Sequence, residues 1–238
     1  MTLQNVYLVT GASSGIGECI SKQLADMGHK VICVARREEK LKALMKYSNN
    51  IDCFAYDLIQ LDNIEDIFSY VQANYGKLSG MVHCAGINRD MPIRVNDISL
   101  MNDVMNTNCN AFIELGKYYS MKKYSIDGGS VVAISSTASL VCDKGMCTYA
   151  ASKAGLNAAV QVMSKEFLKR KIRVNAVLPN FVNTEMMQKS MEYIGGIDEN
   201  VQPLGIIEPE YIAYLVEFLL SEKAKYITGS LIPVTAGA

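Results

Sequence analysis

The chain has 238 residues, half of them hydrophobic, with 23 basic against 24 acidic side chains and a net charge of -1. That length suits one domain with a substantial core, and the even charge balance excludes the basic surface of a nucleic-acid binder. No apolar run approaches the ~20 residues of a membrane span, and the seven cysteines form no CxxC pair and no metal-ligand pattern, so the expectation is a cytoplasmic protein with reduced core thiols and no signal peptide.

The first predicted strand, Val6–Thr10, runs through Thr10-Gly11-Ala12-Ser13-Ser14-Gly15-Ile16-Gly17 into a helix over Gly15–Met27. Glycines at such a turn let the backbone approach a pyrophosphate, and the helix N-terminus favours the anion. A Gly-rich stretch alone is a weak signal, but one set between a strand and a helix is a good one. The candidate contacts are Gly11, Ser13, Ser14, Gly15, Ile16 and Gly17.

The second strand, Lys30–Ala35, ends at Arg36-Arg37. A site for NAD places an acid here to bond the ribose 2′-OH, whereas an arginine suits a 2′-phosphate. Arg36 therefore predicts NADP(H) as the preferred cofactor, with NAD(H) possible; the competing reading has Arg36 only cap a strand end. The third strand, Ile51–Tyr56, leads to Asp57-Leu58, where the carboxylate either bonds the adenine amino group or starts a turn. After the fourth strand, Gly80–Cys84, the small pair Ala85-Gly86 allows close cofactor approach.

Helical spacing over Asp97–Lys123 carries Asn108, and the fifth strand, Ser130–Ile134, delivers Ser136. A helix over Thr148–Lys169 opens with Tyr149-Ala-Ala-Ser-Lys153, which puts tyrosine and lysine on one face. The same spacing recurs at Tyr118/Lys122 and Tyr119/Lys123, read here as exposed helix neighbours because no strand-end serine precedes them. A hydride cannot reach a carbonyl carbon unless the oxygen is protonated or its charge stabilised. Tyr149 would supply the proton, with the Lys153 ammonium and a nicotinamide's positive charge drawing its pKa down. Ser136 would hold the substrate oxygen, and Lys153 would also bond the nicotinamide ribose. Asn108 either holds a water that links the lysine to solvent or is a buried helix amide.

The sixth strand, Ile172–Leu178, passes through Pro179-Asn180 into an irregular stretch that ends at Pro209. Its Met186, Met187, Met191, Tyr193 and Ile194 read as a flexible apolar lid within 181–208. A helix over Pro209–Ser221 and a strand over Ser230–Val234 complete the chain. Nearly continuous apolar strands alternating with helices predict an α/β, doubly wound Rossmann fold. Residues 1–238 then form a single NAD(P)-binding domain.

These residues resemble the short-chain dehydrogenase/reductase family nearly end to end, at Thr10–Gly17, Asp57, Ala85-Gly86, Asn108, Ser136, Tyr149, Lys153, Pro179 and Thr184. Within it, Ala85–Asp90, Pro203-Leu204-Gly205, Glu208-Pro209-Glu210 and Ile227-Thr228-Gly229 are most similar to the 3-oxoacyl-(acyl carrier protein) reductase branch. The resemblance implies a seven-stranded parallel sheet with helices on both faces, a homotetramer, and a catalytic tetrad of Ser136, Tyr149, Lys153 and Asn108. It also implies a nicotinamide contact near Val182, beside Thr184 and Pro179. The activity implied is NADPH-dependent reduction of a 3-oxoacyl thioester, with acyl carrier protein as a partner, in fatty acid biosynthesis. The alternatives are another small alcohol, ketone or sugar derivative, and a nucleotide-binding regulator without catalysis. The chain departs from the branch at His83-Cys84 (for Asn-Asn), Asn180 (for Gly), Ile206 (for Arg) and Val234–Gly237. Lys169 and Arg170 are its candidates for docking an acidic carrier, with Asp127 where added positive charge is expected.

Overall fold

In the computed structural model, which describes residues 4–194 and 201–238, the strands are β1 (Val6–Thr10), β2 (Lys30–Ala35), β3 (Ile51–Ala55), β4 (Leu78–His83), β5 (Ser125–Ile134), β6 (Arg173–Pro179) and β7 (Leu231–Val234). All pair in parallel, in the spatial order β3-β2-β1-β4-β5-β6-β7. The helices are α1 (Gly15–Asp26), α2 (Glu38–Tyr47), α3 (Ile64–Tyr75), α4 (Ile98–Met105), α5 (Ala111–Tyr119), α6 (Cys147–Glu166), α7 (Glu185–Ile194) and α8 (Pro209–Leu220).

The continuous apolar strands have a direct explanation in the two cores. Leu8, Ile32, Met81, Val131 and Val174 face a cluster completed by Phe68, Phe112 and Leu156 of α3, α5 and α6. Their neighbours Val9, Val31, Val82, Val132 and Val177 face a second cluster, completed by Ile20, Leu41, Ile212 and Val216 of α1, α2 and α8. Most positions of the central strands are thus buried on one side or the other, and a polar residue in either register there would lose about 1.5–3 kcal/mol of burial. Because β1 lies between β2 and β4, the connections leave in opposite directions and open a crevice at the carboxyl ends of those strands.

Three stretches differ from the sequence expectation. The helix expected over Asp97–Lys123 is capped by Asp97, whose Oδ1 accepts from Leu100 N at 2.9 Å, but a π turn at Asn106–Asn110 divides it and α5 ends at Tyr119. The extra residue of that turn lets Thr107, Asn108 and Cys109 all be buried together. Tyr118 and Tyr119 are buried rather than exposed; the Tyr119 hydroxyl donates to Ser79 O at 3.2 Å, so apolar packing holds both rings. The stretch expected to be irregular contains α7, which buries Met187 alone among its described side chains. Residues 195–200 of the expected lid lie outside the described residues. All seven cysteines are free thiols, yet Cys142 and Cys147 are exposed, on the loop before α6 and at its first turn, rather than in the core.

Candidate active site

The nucleotide end is built by close backbone approach. Gly11 has φ +66°, and a Cβ there would lie 2.6 Å from Ala85 N, so the loops after β1 and β4 touch only because this residue is glycine. A Cβ on Gly17 would lie 2.5 Å from Gly11 O, which holds the first turn of α1 against the same loop. Ser14, at the N-cap, gives no side-chain bond to the helix, so the first-turn N–H groups lack a capping side chain. That cradle, at a helix N-terminus, fits a pyrophosphate.

Arginines close its far side. Arg36 Nη1 lies 3.7 Å from Asp57 Oδ2, while Asp57 Oδ1 accepts from Ile59 N at 3.2 Å. Asp57 therefore both starts a turn and faces a cation; Leu58 beside it is buried core. Arg37 is the residue that sequence reasoning missed. It donates to Ser13 Oγ through Nε at 3.2 Å and Nη2 at 3.0 Å, and to Ser14 Oγ at 2.7 Å. Two adjacent arginines at the end of β2 were the available signal.

Thr10 and His83 join the two central strands as register partners. Thr10 Oγ1 accepts from Cys84 N and Ala85 N, each at 3.2 Å, which fills both lone pairs. Its proton must then go to His83 Nδ1, 3.0 Å away, which fixes the Nε2–H tautomer. Nε2 faces the main chain of Thr107 and Asn108 at the π turn and has no hydrogen-bond partner among the described residues. Burial, with Lys153 adding repulsion, pulls the imidazole pKa down to about 3. His83 is thus a neutral strut in place of an amide.

At the chemical end, Ser136 stands at the close of β5 with extended backbone, its Oγ accepting from Ala138 N at 3.1 Å. Tyr149 lies on the first turn of α6, and Lys153 Nζ sits 5.7 Å from its ring centroid. The lysine is 4% exposed and donates to Ile134 O at 2.8 Å. Burial pulls its pKa down to about 8. The tyrosine ring keeps some exposure to the cleft, but its hydroxyl lies among protein atoms, and burial pushes its pKa up to about 12. A hydrogen bond with Ser136 works the other way, and the nearby Asp90 and Cys84 oppose that bond. Burial is the largest influence on the phenol, and Tyr149 is protonated at neutral pH.

Asn108 does not reach the cleft surface. Its Oδ1 accepts from Ile87 N at 2.8 Å, and its Nδ2 donates to Ile87 O at 3.0 Å and to Ser152 Oγ at 2.9 Å. Ser152 in turn donates to Tyr149 O at 2.7 Å. The amide clamps the segment after Gly86 to the helix of the tyrosine; Ser152, which no motif singles out, is the link.

Every other predicted site residue lines one continuous cleft of about 1080 Å³: Gly11, Ser13, Ser14, Gly15, Ile16, Gly17, Arg36, Asp57, Leu58, Ala85, Gly86, Ser136, Tyr149, Lys153, Pro179, Val182 and Thr184. Thr184 packs on the phosphate loop, with Cγ2 2.9 Å from where a Cβ on Gly15 would stand, and its Oγ1 accepts from Met187 N at 3.3 Å. Asn180 accepts from Thr137 Oγ1 at 3.2 Å, tying the end of β6 to the turn that carries Ser136.

Residues 5–194 match the family described as short chain dehydrogenase. The chain belongs to the short-chain dehydrogenase/reductase family. As a member it is an oxidoreductase that acts on CH–OH and C=O groups. It is 32% identical to the 3-oxoacyl-[acyl-carrier-protein] reductase FabG of Thermotoga maritima, over 98% of this chain and 96% of that one. The corresponding protein of Rickettsia prowazekii is 35% identical, over 97% of this chain and 95% of its own. A solved short-chain type dehydrogenase/reductase from Mycobacterium ulcerans superposes with a TM-score of 0.90 at 28% identity, covering 100% of this chain and 90% of that one. Two features of this short-chain dehydrogenase/reductase lie apart from the cleft. Arg170, a candidate for docking a carrier, is only 13% exposed at its side chain and pairs through Nε with Asp127 Oδ1 at 2.8 Å. Its other nitrogens donate to Ser120 O, Ser125 Oγ and Ser125 O at 2.8–2.9 Å, so its charge is spent inside the molecule. No helix among the described residues is long and apolar enough to cross a membrane.

Proposed function

We propose that the protein reduces the ketone of a 3-oxoacyl thioester, or a closely similar ketone, to a secondary alcohol with NADPH. The observation that carries this reading is the meeting of Ser136, Tyr149 and Lys153 in the same cleft as the Gly11–Gly17 cradle. The bound nicotinamide supplies the hydride. Tyr149, protonated at neutral pH, gives its proton to the oxygen as charge develops there, and Ser136 Oγ holds that oxygen beside the phenol. Lys153, with a pKa of about 8, carries an ammonium at pH 7 that stabilises the resulting tyrosinate. It also anchors the nicotinamide ribose. Asn108 acts behind the wall, holding the helix of the tyrosine against the segment that follows Gly86.

Arg36 and Arg37 support preference for a 2′-phosphate, since both line the cleft, Arg37 bonded to Ser13 and Ser14 and Arg36 facing Asp57. Pro179 and Val182, with Thr184, border the nicotinamide side. Leu140, Val141, Met146, Phe181, Met186 and Met187 give the remaining wall an apolar character suited to an acyl chain. Residues 1–238 act as one domain, with α7 as the described part of a substrate lid. A second reading, a ketone not attached to a carrier protein, is favoured by the internal pairing of Arg170 with Asp127.

NADPH and NADH oxidation followed with acetoacetyl-CoA and with acetoacetyl-(acyl carrier protein) tests the reading. Rapid NADPH oxidation with either thioester supports it, and preference for the free thioester selects the second form. No oxidation with either, while NADPH still binds, would overturn the 3-oxoacyl assignment. Tyr149→Phe should lower kcat by about 10²–10⁴-fold and leave NADPH binding within about twofold.

A further inference from the structure

Glu185 is the first residue of α7, and its carboxylate bridges two cations of the nucleotide end. Oε2 lies 3.1 Å from Arg37 Nη1 and Oε1 lies 3.0 Å from Lys40 Nζ. With Nε and Nη2 on the Ser13 and Ser14 hydroxyls, all three nitrogens of Arg37 are engaged. Lys40 and Arg37 hold the Glu185 carboxyl below its usual range, so it stays charged wherever a phosphate monoester is dianionic. Its side chain is half exposed, which lets it turn to solvent without a desolvation penalty.

We propose that Glu185 is a cofactor-specificity residue: its carboxylate is the counter-anion that a ribose 2′-phosphate displaces from Arg37 and Lys40. This rests on the NADPH reading above and goes beyond it. Arg36 and Arg37 alone would make the pocket a strong phosphate site. Glu185 lowers that affinity, because the arriving phosphate must break two ion pairs and bear a nearby like charge. A cofactor without the 2′-phosphate leaves both pairs intact. The displaced residue also belongs to the lid side: Glu185 opens the helix that carries Met186 and Met187 into the cleft, and Thr184 before it packs on Gly15. The 2′-phosphate thereby loosens a tie between α2 and α7.

Calorimetric titration of 2′,5′-ADP and 5′-AMP, which differ only in the 2′-phosphate, tests this on the wild type and on Glu185→Gln. The variant should bind 2′,5′-ADP about 3–10-fold more tightly, the scale of two partly exposed ion pairs. Its affinity for 5′-AMP should stay within about twofold, which also reports that the variant is folded. Equal shifts for both nucleotides, or weaker binding of 2′,5′-ADP, would overturn the proposal, the latter by showing that the carboxylate positions Arg37 rather than competes for it. A wild type that binds the two nucleotides equally would overturn the NADPH preference, and this inference with it.

Discussion

At Lys153 the chain places an ammonium where only 4% of the residue meets solvent, and the depressed pKa of about 8 measures what that position costs. Against an unfolded lysine near 10.4, the difference corresponds to about 3 kcal/mol. Below pH 8 both states are protonated and the folded protein bears the full cost. As pH rises from 8 to about 10.4 the unfolded state holds more protons, so stability rises and the cost fades. Lys153→Met should therefore be more stable than wild type at pH 7, by about 1–2 kcal/mol once the Ile134 carbonyl has lost its donor. Thermal unfolding at pH 7 and pH 10 should show that advantage shrink, while reductase activity is lost at both. Arg37 gives a second expectation at this scale. Arg37→Ala should weaken 2′,5′-ADP about 10-fold or more and 5′-AMP much less, as read by calorimetry. The Tyr149/Lys153 pair was legible because four-residue spacing on a helix is a local property. Arg37 and Ser152 were not, since what matters about them is a contact with a residue 24 or 44 positions away.

Among the elements, the strand junction at His83 and the π turn opposite it behave as one support. The imidazole keeps a pKa of about 3 when folded, against 6.5 when free. Between those values the unfolded chain binds the proton and the folded chain does not, so stability falls as pH falls from 6.5 toward 3. At pH 5 the loss from this residue alone is about 2 kcal/mol. His83→Asn removes the titration and should flatten the decline in denaturant midpoint between pH 7 and pH 5. Sequence patterning placed all seven strands, because the central ones are buried on both faces and read as apolar runs, and the edge strands β3 and β7 keep short apolar segments. It did not find the π turn, whose sequence Asn106–Asn110 differs from an α-helical turn only in which carbonyls are paired. The expectation of an irregular lid also missed α7, although Met187, Met191 and Ile194 recur at helical spacing; a cap at Thr184 and ion pairs at Glu185 hold its start.

For the whole molecule, the sheet order sets nucleotide and carbonyl chemistry side by side at the carboxyl ends of neighbouring strands, and the surface away from that crevice carries its own implication. Ile98 and Met101 on α4, Ile113 on α5 and Val162 on α6 leave apolar side chains exposed on packed helices. A second copy of the chain is the partner expected there, within the homotetramer that the family resemblance implies. Val162→Glu should shift the mass found by light scattering toward smaller species, with the fold intact by circular dichroism.

Arg170 and Asp127 neutralise one another, and the guanidinium's remaining donors are taken by the backbone and hydroxyl groups around Ser120 and Ser125. A corner so arranged projects little field into solvent. Substrate capture that depended on long-range attraction by this arginine would weaken steeply as ions are added. Arg170→Ala should therefore leave the salt dependence of the second-order rate constant with an acidic carrier unchanged. Any attraction that an acidic partner feels then originates elsewhere on the surface.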